Sequence, residues 1–77
     1  MATESEEVGI RIRNARTEAG LTQAELAERI GTTPAVLSHL ETGWRGGSHE
    51  RLVAIARACG VAPSAILGAD RAARAGV

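Results

Sequence analysis

The side chains with the greatest chemical capacity in this sequence could serve as metal ligands, as nucleophiles or as partners for anions. Those suited to binding a metal or attacking a substrate are His39, His49, Cys59 and Asp70. Their spacing matches no metal site, and neither a nucleophile signature nor a glycine-rich phosphate-binding motif accompanies them. We therefore expect no enzyme activity, no metal and no cofactor.

The cations are a second chemical feature, because all nine are arginine and none is lysine. Arginine makes paired hydrogen bonds with phosphate groups and with guanine edges. A GC-rich genome would enrich arginine in the same way, and composition does not separate the two explanations. Nine acidic residues bring the formal net charge to zero, which argues against a strongly basic protein that binds nucleic acid regardless of sequence.

The elements that position these side chains are helices, and two of them are predicted between residues 22 and 41. Apolar residues recur there at helical spacing: Leu26, Ala27 and Ile30, then Leu37 and Leu40. Thr22 with Glu25 predicts a capping box at the first start, and Thr33, which precedes a proline, predicts the second. Gly31 between them suits the positive φ of a sharp turn.

Three further helices complete the prediction. The first runs from about Glu6 to Ala19, with Thr3 and Glu6, or Ser5, as alternative caps. Its buried face is expected to hold Val8, Ile12, Ala15 and Ala19. Ser48 is expected to cap a fourth helix from His49 to Cys59, whose inward residues are Leu52, Ile55 and Ala56. A fifth helix begins after Pro63, with the sequence SAILGAD.

These elements predict an all-α, five-helix fold in one domain that spans residues 1–77, because 77 residues leave no room for a second core. The core is expected over about residues 6–68, with flexible ends at 1–5 and 69–77. Cys59 is the single cysteine, so it has no internal disulfide partner, and we interpret it as a core residue. No signal peptide or membrane span is predicted, which favours a cytoplasmic protein.

An ordered series of motifs resembles the phage repressor and Cro type of helix-turn-helix family. The matching motifs are V-G-x-R-I-R-x-x-R, G-L-T-Q-x-E-L-A-x-x-x-G, L-S-x-L-E-x-G and L-x-x-I-A-x-A-x-G-V. They extend over roughly Val8 to Leu67, with the helix-turn-helix formed by the second and third helices. The resemblance implies a repressor-like domain whose third helix enters the major groove of DNA.

The outward face of that third helix is the predicted reading face, and it comprises Pro34, Ala35, Ser38, His39 and Thr42. Ala35 can touch a thymine methyl group, and Thr33 or its backbone can contact phosphate, so base discrimination is expected from Ser38 and His39. The alternative is that both side chains are polar only because they face solvent. The best-known members of the family carry glutamines where this chain has Pro34 and Ala35.

The resemblance also implies contacts outside the reading face. Gln23 matches a glutamine that grips the DNA backbone, and Arg45 matches a common arginine and is the best phosphate-binding candidate. Arg16 and Glu41 match a partly buried structural ion pair. Trp44, the only aromatic residue, has three open roles: packing on a sugar-phosphate strand, contacting a partner chain, or covering the domain's own core.

Together these features predict a sequence-specific DNA-binding transcriptional regulator, a repressor that binds an inverted repeat as a homodimer and is nucleoid-associated. Self-association is expected to be weak, and the residues proposed for the dimer interface are Val61, Ile66 and Leu67. The alternative is an antitoxin-like or adapter domain that acts chiefly by binding another protein. Zero net charge and the apolar Pro34–Ala35 pair favour that alternative.

Overall fold

The computed structural model describes residues 3–43 and 48–68, and within these ranges the chain forms helices and no strand. The helices are α1 (Glu4–Glu18), α2 (Gln23–Ile30), α3 (Pro34–Glu41), α4 (His49–Cys59) and α5 (Ser64–Leu67). The predicted all-α, five-helix fold is therefore confirmed, and the fourth helix matches the prediction at both ends. The fifth ends at Leu67, and the last two positions of its predicted range, residues 69 and 70, lie outside the described chain.

The first helix begins two residues before the predicted start at about Glu6, because Thr3, one of the two cap candidates, caps it. The Thr3 hydroxyl accepts a hydrogen bond from the Glu6 backbone N–H at 3.2 Å, and the Glu6 carboxylate accepts from the Thr3 N–H at 3.1 Å. This reciprocal pair satisfies backbone donors that would otherwise have no partner. Residues 3–5 thus belong to α1 and its cap, which corrects the expectation of a flexible segment up to residue 5. The tail 69–77 lies outside the described residues.

One apolar core joins all five helices. It contains Val8, Ile12, Ala15, Leu21, Leu26, Ala27, Leu37, Leu40, Leu52, Ile55, Ala56, Ile66 and Leu67. The inward face predicted for the fourth helix is confirmed. The face predicted for the first helix is wrong at one position, because Ala19 is the exposed C-terminal cap residue and Gly9 is buried on that face instead.

The capping box of α2 makes stability depend on pH. Hydrogen bonds with the backbone and hydroxyl of Thr22 lower the pKa of Glu25 below its ordinary value. A carboxyl whose folded-state pKa is depressed stabilises the fold above its unfolded pKa, and that contribution is lost as the pH falls through the folded pKa. Glu25→Gln is therefore expected to lower stability at neutral pH. Between about pH 5 and pH 3, the variant should lose less stability than wild type does.

Urea denaturation across that pH range measures this effect. Glu28→Gln is the matched control, because it removes one exposed carboxylate from the same helix outside the capping box. Equal acid-induced losses in wild type and Glu25→Gln would show that the capping box contributes nothing to the pH dependence.

Candidate nucleic-acid interface

The turn between α2 and α3 is built as the sequence predicted. Gly31 ends α2 with φ of 73° and ψ of 36°, in the left-handed region that residues with a Cβ atom adopt only at a cost. The Thr32 N–H donates to the Ala27 carbonyl at 2.9 Å and closes the turn. Thr33 then caps α3, since its hydroxyl accepts from the Val36 N–H at 3.3 Å. Local hydrogen bonds therefore fix the position at which α3 starts.

Its far end is fixed by a nearly buried polar cluster around Glu41. The Arg16 Nε donates to Oε2 of Glu41 at 2.7 Å, and Nη2 donates to Oε1 at 3.0 Å, which forms a two-point ion pair. The remaining guanidinium nitrogen, Nη1, donates to the Leu21 carbonyl at 3.0 Å. The side chains of Arg16 and Glu41 are 13% and 5% exposed, and hydrogen bonding to Glu41 raises the pKa of Arg16.

The cluster has a fourth member that sequence reasoning did not place there. Nε2 of Gln23 donates to Oε1 of Glu41 at 3.3 Å, although the two residues are eighteen positions apart. The four residues tie together α1, the turn that follows it, the first residue of α2 and the last residue of α3. This arrangement holds α3 at one angle to α1 and α2. A helix that reads DNA must be held in such a fixed orientation.

A close backbone contact supports the same crossing. A Cβ atom built on Gly9 in α1 would lie 2.6 Å from the Leu40 carbonyl oxygen and 2.7 Å from that of Glu41. The end of α3 therefore rests directly on the α1 backbone, and only glycine leaves room for it. The sequence motif contained Gly9, but nothing local to its position indicated that role.

The predicted reading face of α3 is accessible over most of its length. Pro34, Ala35 and His39 are exposed, and Ser38 is partly exposed. Thr42 is also exposed, but its hydroxyl donates back to the helix carbonyls of Ser38 and His39, at 3.1 and 2.9 Å. Its hydroxyl proton is thus used within the chain, and Thr42 caps the C-terminal end of α3.

Backbone donors lie at the N-terminal ends of both motif helices. Within the described residues, the N–H groups of Gln23, Ala24 and Ala35 have no hydrogen-bond acceptor. Ala24 and Ala35 are exposed, and Gln23 is half-buried. Unpaired N–H groups at a helix start are suited to binding phosphate oxygens, because the helix dipole adds partial positive charge there.

Two of the predicted contact residues, Trp44 and Arg45, lie outside the described residues. The dimer candidates need a correction, because the side chains of Ile66 and Leu67 are 0% and 2% exposed and pack in the core. A side chain that the domain itself buries offers no surface to a second copy. Val61 is partly buried against the core and keeps some exposed surface.

Cys59 packs against the core but is only partly buried, so its interpretation as a core residue holds in part. Burial raises the pKa of its thiol, which disfavours the reactive thiolate. In the parts of the chain with a described structure, no group of three or more His, Cys, Asp or Glu residues could hold a metal ion. Among the helices described here, none is long and apolar enough to cross a membrane.

The fold and this arrangement define a helix-turn-helix domain: two short capped helices, a left-handed glycine turn between them, and an accessible third helix fixed at both ends. The chain belongs to the helix-turn-helix domain family, whose model matches residues 7–75. A search of curated proteins found no match.

Two solved structures of the clp gene regulator ClgR from Corynebacterium glutamicum are similar to this chain. The first is 33% identical with a TM-score of 0.80, and the alignment covers 86% of this chain and 85% of that chain. The second is 31% identical with a TM-score of 0.81, covering 97% of this chain and 83% of that chain. The similarity therefore includes nearly the whole five-helix arrangement as well as the two motif helices.

Proposed function

We propose that this protein is a DNA-binding transcriptional regulator and binds its site through α3. The observation that carries the proposal is the accessible face of α3, held at both ends, next to the unpaired backbone donors of Gln23 and Ala24. This arrangement lets α3 contact base edges while the start of α2 binds the phosphate backbone. Membership of the helix-turn-helix family and likeness to a gene regulator support it.

On α3, the proposal divides the work among four residues. Ser38 and His39 contact base edges through hydrogen bonds, and Ala35 contacts a thymine methyl group. Pro34 has no N–H and shapes the start of the helix. Gln23 and Arg45 bind phosphate. The protein has no catalytic role in this proposal.

The finer proposal is a repressor of the phage repressor and Cro type that acts as a homodimer on an inverted repeat. Two copies of a domain with extents of 30 × 25 × 20 Å fit side by side on one face of the duplex. That arrangement suits reading helices about 34 Å apart, the spacing of successive major grooves. With Ile66 and Leu67 in the core, the exposed part of Val61 is what remains of the dimer surface predicted from sequence. Occupancy of the site would block polymerase.

Selection of duplexes from a random pool tests both levels of this proposal. An enriched inverted repeat, with half-sites about 10 base pairs apart, is the expected result for a homodimer. Enrichment of a single half-site would retain the regulator and reject the homodimer. A pool that shows no enrichment, with protein shown to be folded by circular dichroism, would reject sequence-specific DNA binding.

Salt dependence separates this function from the alternative, an antitoxin-like or adapter domain that binds another protein. The observation that favours the alternative is the exposed, apolar Pro34–Ala35 pair at the start of the reading face. Binding through phosphates is expected to weaken about tenfold, between about 50 and 200 mM salt, for every two phosphates that arginine side chains neutralise. Fluorescence anisotropy with the selected duplex measures this.

Ala24→Pro supplies the control for the salt experiment. It removes the unpaired Ala24 N–H, but proline is tolerated in the first turn of a helix. Because a backbone N–H carries no net charge, this variant should bind the selected duplex more weakly at every salt concentration, with a salt slope close to that of wild type. A salt slope near zero for wild type would contradict phosphate binding and favour the adapter function.

A further inference from the structure

The hydrogen bond between Gln23 and Glu41 joins two parts of the molecule with different roles. Gln23 is the first residue of α2, beside the unpaired backbone donors, and the proposed function assigns it a phosphate contact. Glu41 is the last residue of α3 and the acceptor of the structural ion pair. Since Oε1 of Glu41 accepts from both Arg16 and Gln23, the ion pair and the glutamine share one oxygen atom.

The chemistry of these groups fixes how the glutamine amide faces. An ionised carboxylate only accepts hydrogen bonds, so the NH₂ group of Gln23 must face Glu41 and its carbonyl oxygen must not. Arg16 holds that carboxylate through two hydrogen bonds, so the acceptor itself has a fixed position. Nε2 carries two N–H donors and uses one of them on Glu41, which leaves the other for an external acceptor.

Charge is the second part of the argument. An unpaired carboxylate next to a phosphate site would repel the DNA backbone, but the guanidinium of Arg16 neutralises Glu41 at 2.7 Å. The cluster can therefore hold the amide of Gln23 near a phosphate site without a net negative charge beside it.

We propose that Glu41 is a positioning residue for DNA binding: it accepts one N–H of the Gln23 amide and so directs the other toward a backbone phosphate. This inference rests on the proposed DNA-binding function and adds a residue to it. The ion pair then has two roles, because it fixes the angle of α3 and also preorients a phosphate contact at the start of α2. Preorientation lowers the cost of immobilising the side chain when DNA binds.

The composition of the chain makes the hydrogen bond easy to observe. Gln23 is the only glutamine and Asn14 the only asparagine, so a ¹⁵N–¹H spectrum contains two side-chain amide pairs. Asn14 is exposed in α1 and serves as the internal reference. In the free protein, the chemical shifts of the Gln23 side-chain amide pair are expected to differ from random-coil values. When the selected duplex is added, the Gln23 signals should move and the Asn14 signals should stay in place. A Gln23 pair at random-coil positions in the free protein would overturn the proposal.

Binding measurements test whether Glu41 acts through Gln23. Arg16→Met combined with Glu41→Leu replaces the ion pair by apolar side chains, an exchange that often preserves stability. This apolar-pair variant is expected to bind the selected duplex about three- to tenfold more weakly, the effect of losing one preoriented side chain. Gln23→Ala alone should weaken binding about tenfold or more, since a hydrogen bond to a charged phosphate is lost.

The combination of both changes gives the decisive comparison. If Glu41 positions Gln23, adding Gln23→Ala to the apolar-pair variant costs clearly less than adding it to wild type. Equal costs in the two backgrounds would show that the ion pair is structural only, and would overturn the positioning role. Should the apolar-pair variant not fold, the amide spectrum of the wild type decides alone. A wild type that binds no duplex rejects the proposed function itself, which is a different outcome from either of these.

Discussion

Arg16→Ala is expected to lower the free energy of unfolding by about 3–5 kcal/mol, the usual cost of removing one partner from a buried ion pair. In the wild-type fold the Glu41 side chain is only 5% exposed. The variant leaves its carboxylate with Gln23 as the one remaining side-chain donor among the described residues. It also removes the donor to the Leu21 carbonyl. The free energy of unfolding of a small domain is about 5–15 kcal/mol, so this substitution removes a large share of the total stability.

Thermal or urea denaturation followed by circular dichroism measures this loss. Arg13→Ala is the matched control, because it removes an exposed arginine from the same helix and should change stability by less than about 0.5 kcal/mol. Arg16→Met combined with Glu41→Leu should recover much of the loss, since neither charge is then left alone. If Arg16→Ala costs as little as Arg13→Ala, the ion pair does not hold the fold together.

Gly9→Ala is expected to destabilise the protein by about 2–3 kcal/mol, although alanine is the better helix former by about 1 kcal/mol. The added methyl would meet the carbonyl oxygens of Leu40 and Glu41 at 2.6 and 2.7 Å. Both contacts are with backbone atoms, so no side chain can rotate away, and the end of α3 must move off α1. The Glu41 side chain would move with it and weaken the ion pair with Arg16.

Asn14→Ala provides the comparison in the same helix. That position is exposed, so the substitution should leave stability unchanged or raise it slightly through helix propensity. Chemical denaturation of both variants gives the two values, and DNA binding of Gly9→Ala at a temperature where it is folded reports whether α3 has shifted. A stable Gly9→Ala variant would mean that α1 and α3 can separate without cost.

Both substitutions act far from the reading face, yet both change how that face is held. Arg16 lies in α1, and its guanidinium reaches the last residue of α3. Gly9 lies two helical turns earlier and admits the same end of α3. The first helix therefore supports α3. Substitutions at the contacts between α1 and α3 are expected to affect the protein more than substitutions of the exposed residues proposed to face DNA.

The sequence by itself determined where α2, α3 and α4 begin and offered Thr3 as a candidate cap for α1, because capping is local chemistry. Thr3, Thr22, Thr33 and Ser48 each accept a hydrogen bond from the backbone N–H three residues later. The donor and acceptor are close in the chain, so residue type and spacing suffice to predict the bond. The same holds for the turn at Gly31 and for the inward residues of α4, which follow helical periodicity.

The tertiary structure decided which surfaces meet. Gly9 rather than Ala19 is buried in α1, since the end of α3 crosses there and needs a position without a Cβ atom. Ile66 and Leu67 fill the core instead of facing a second copy. The bond from Gln23 to Glu41 forms because folding brings together the start of α2 and the end of α3. These contacts join residues distant in the chain, so they follow from how the helices pack and not from local pattern.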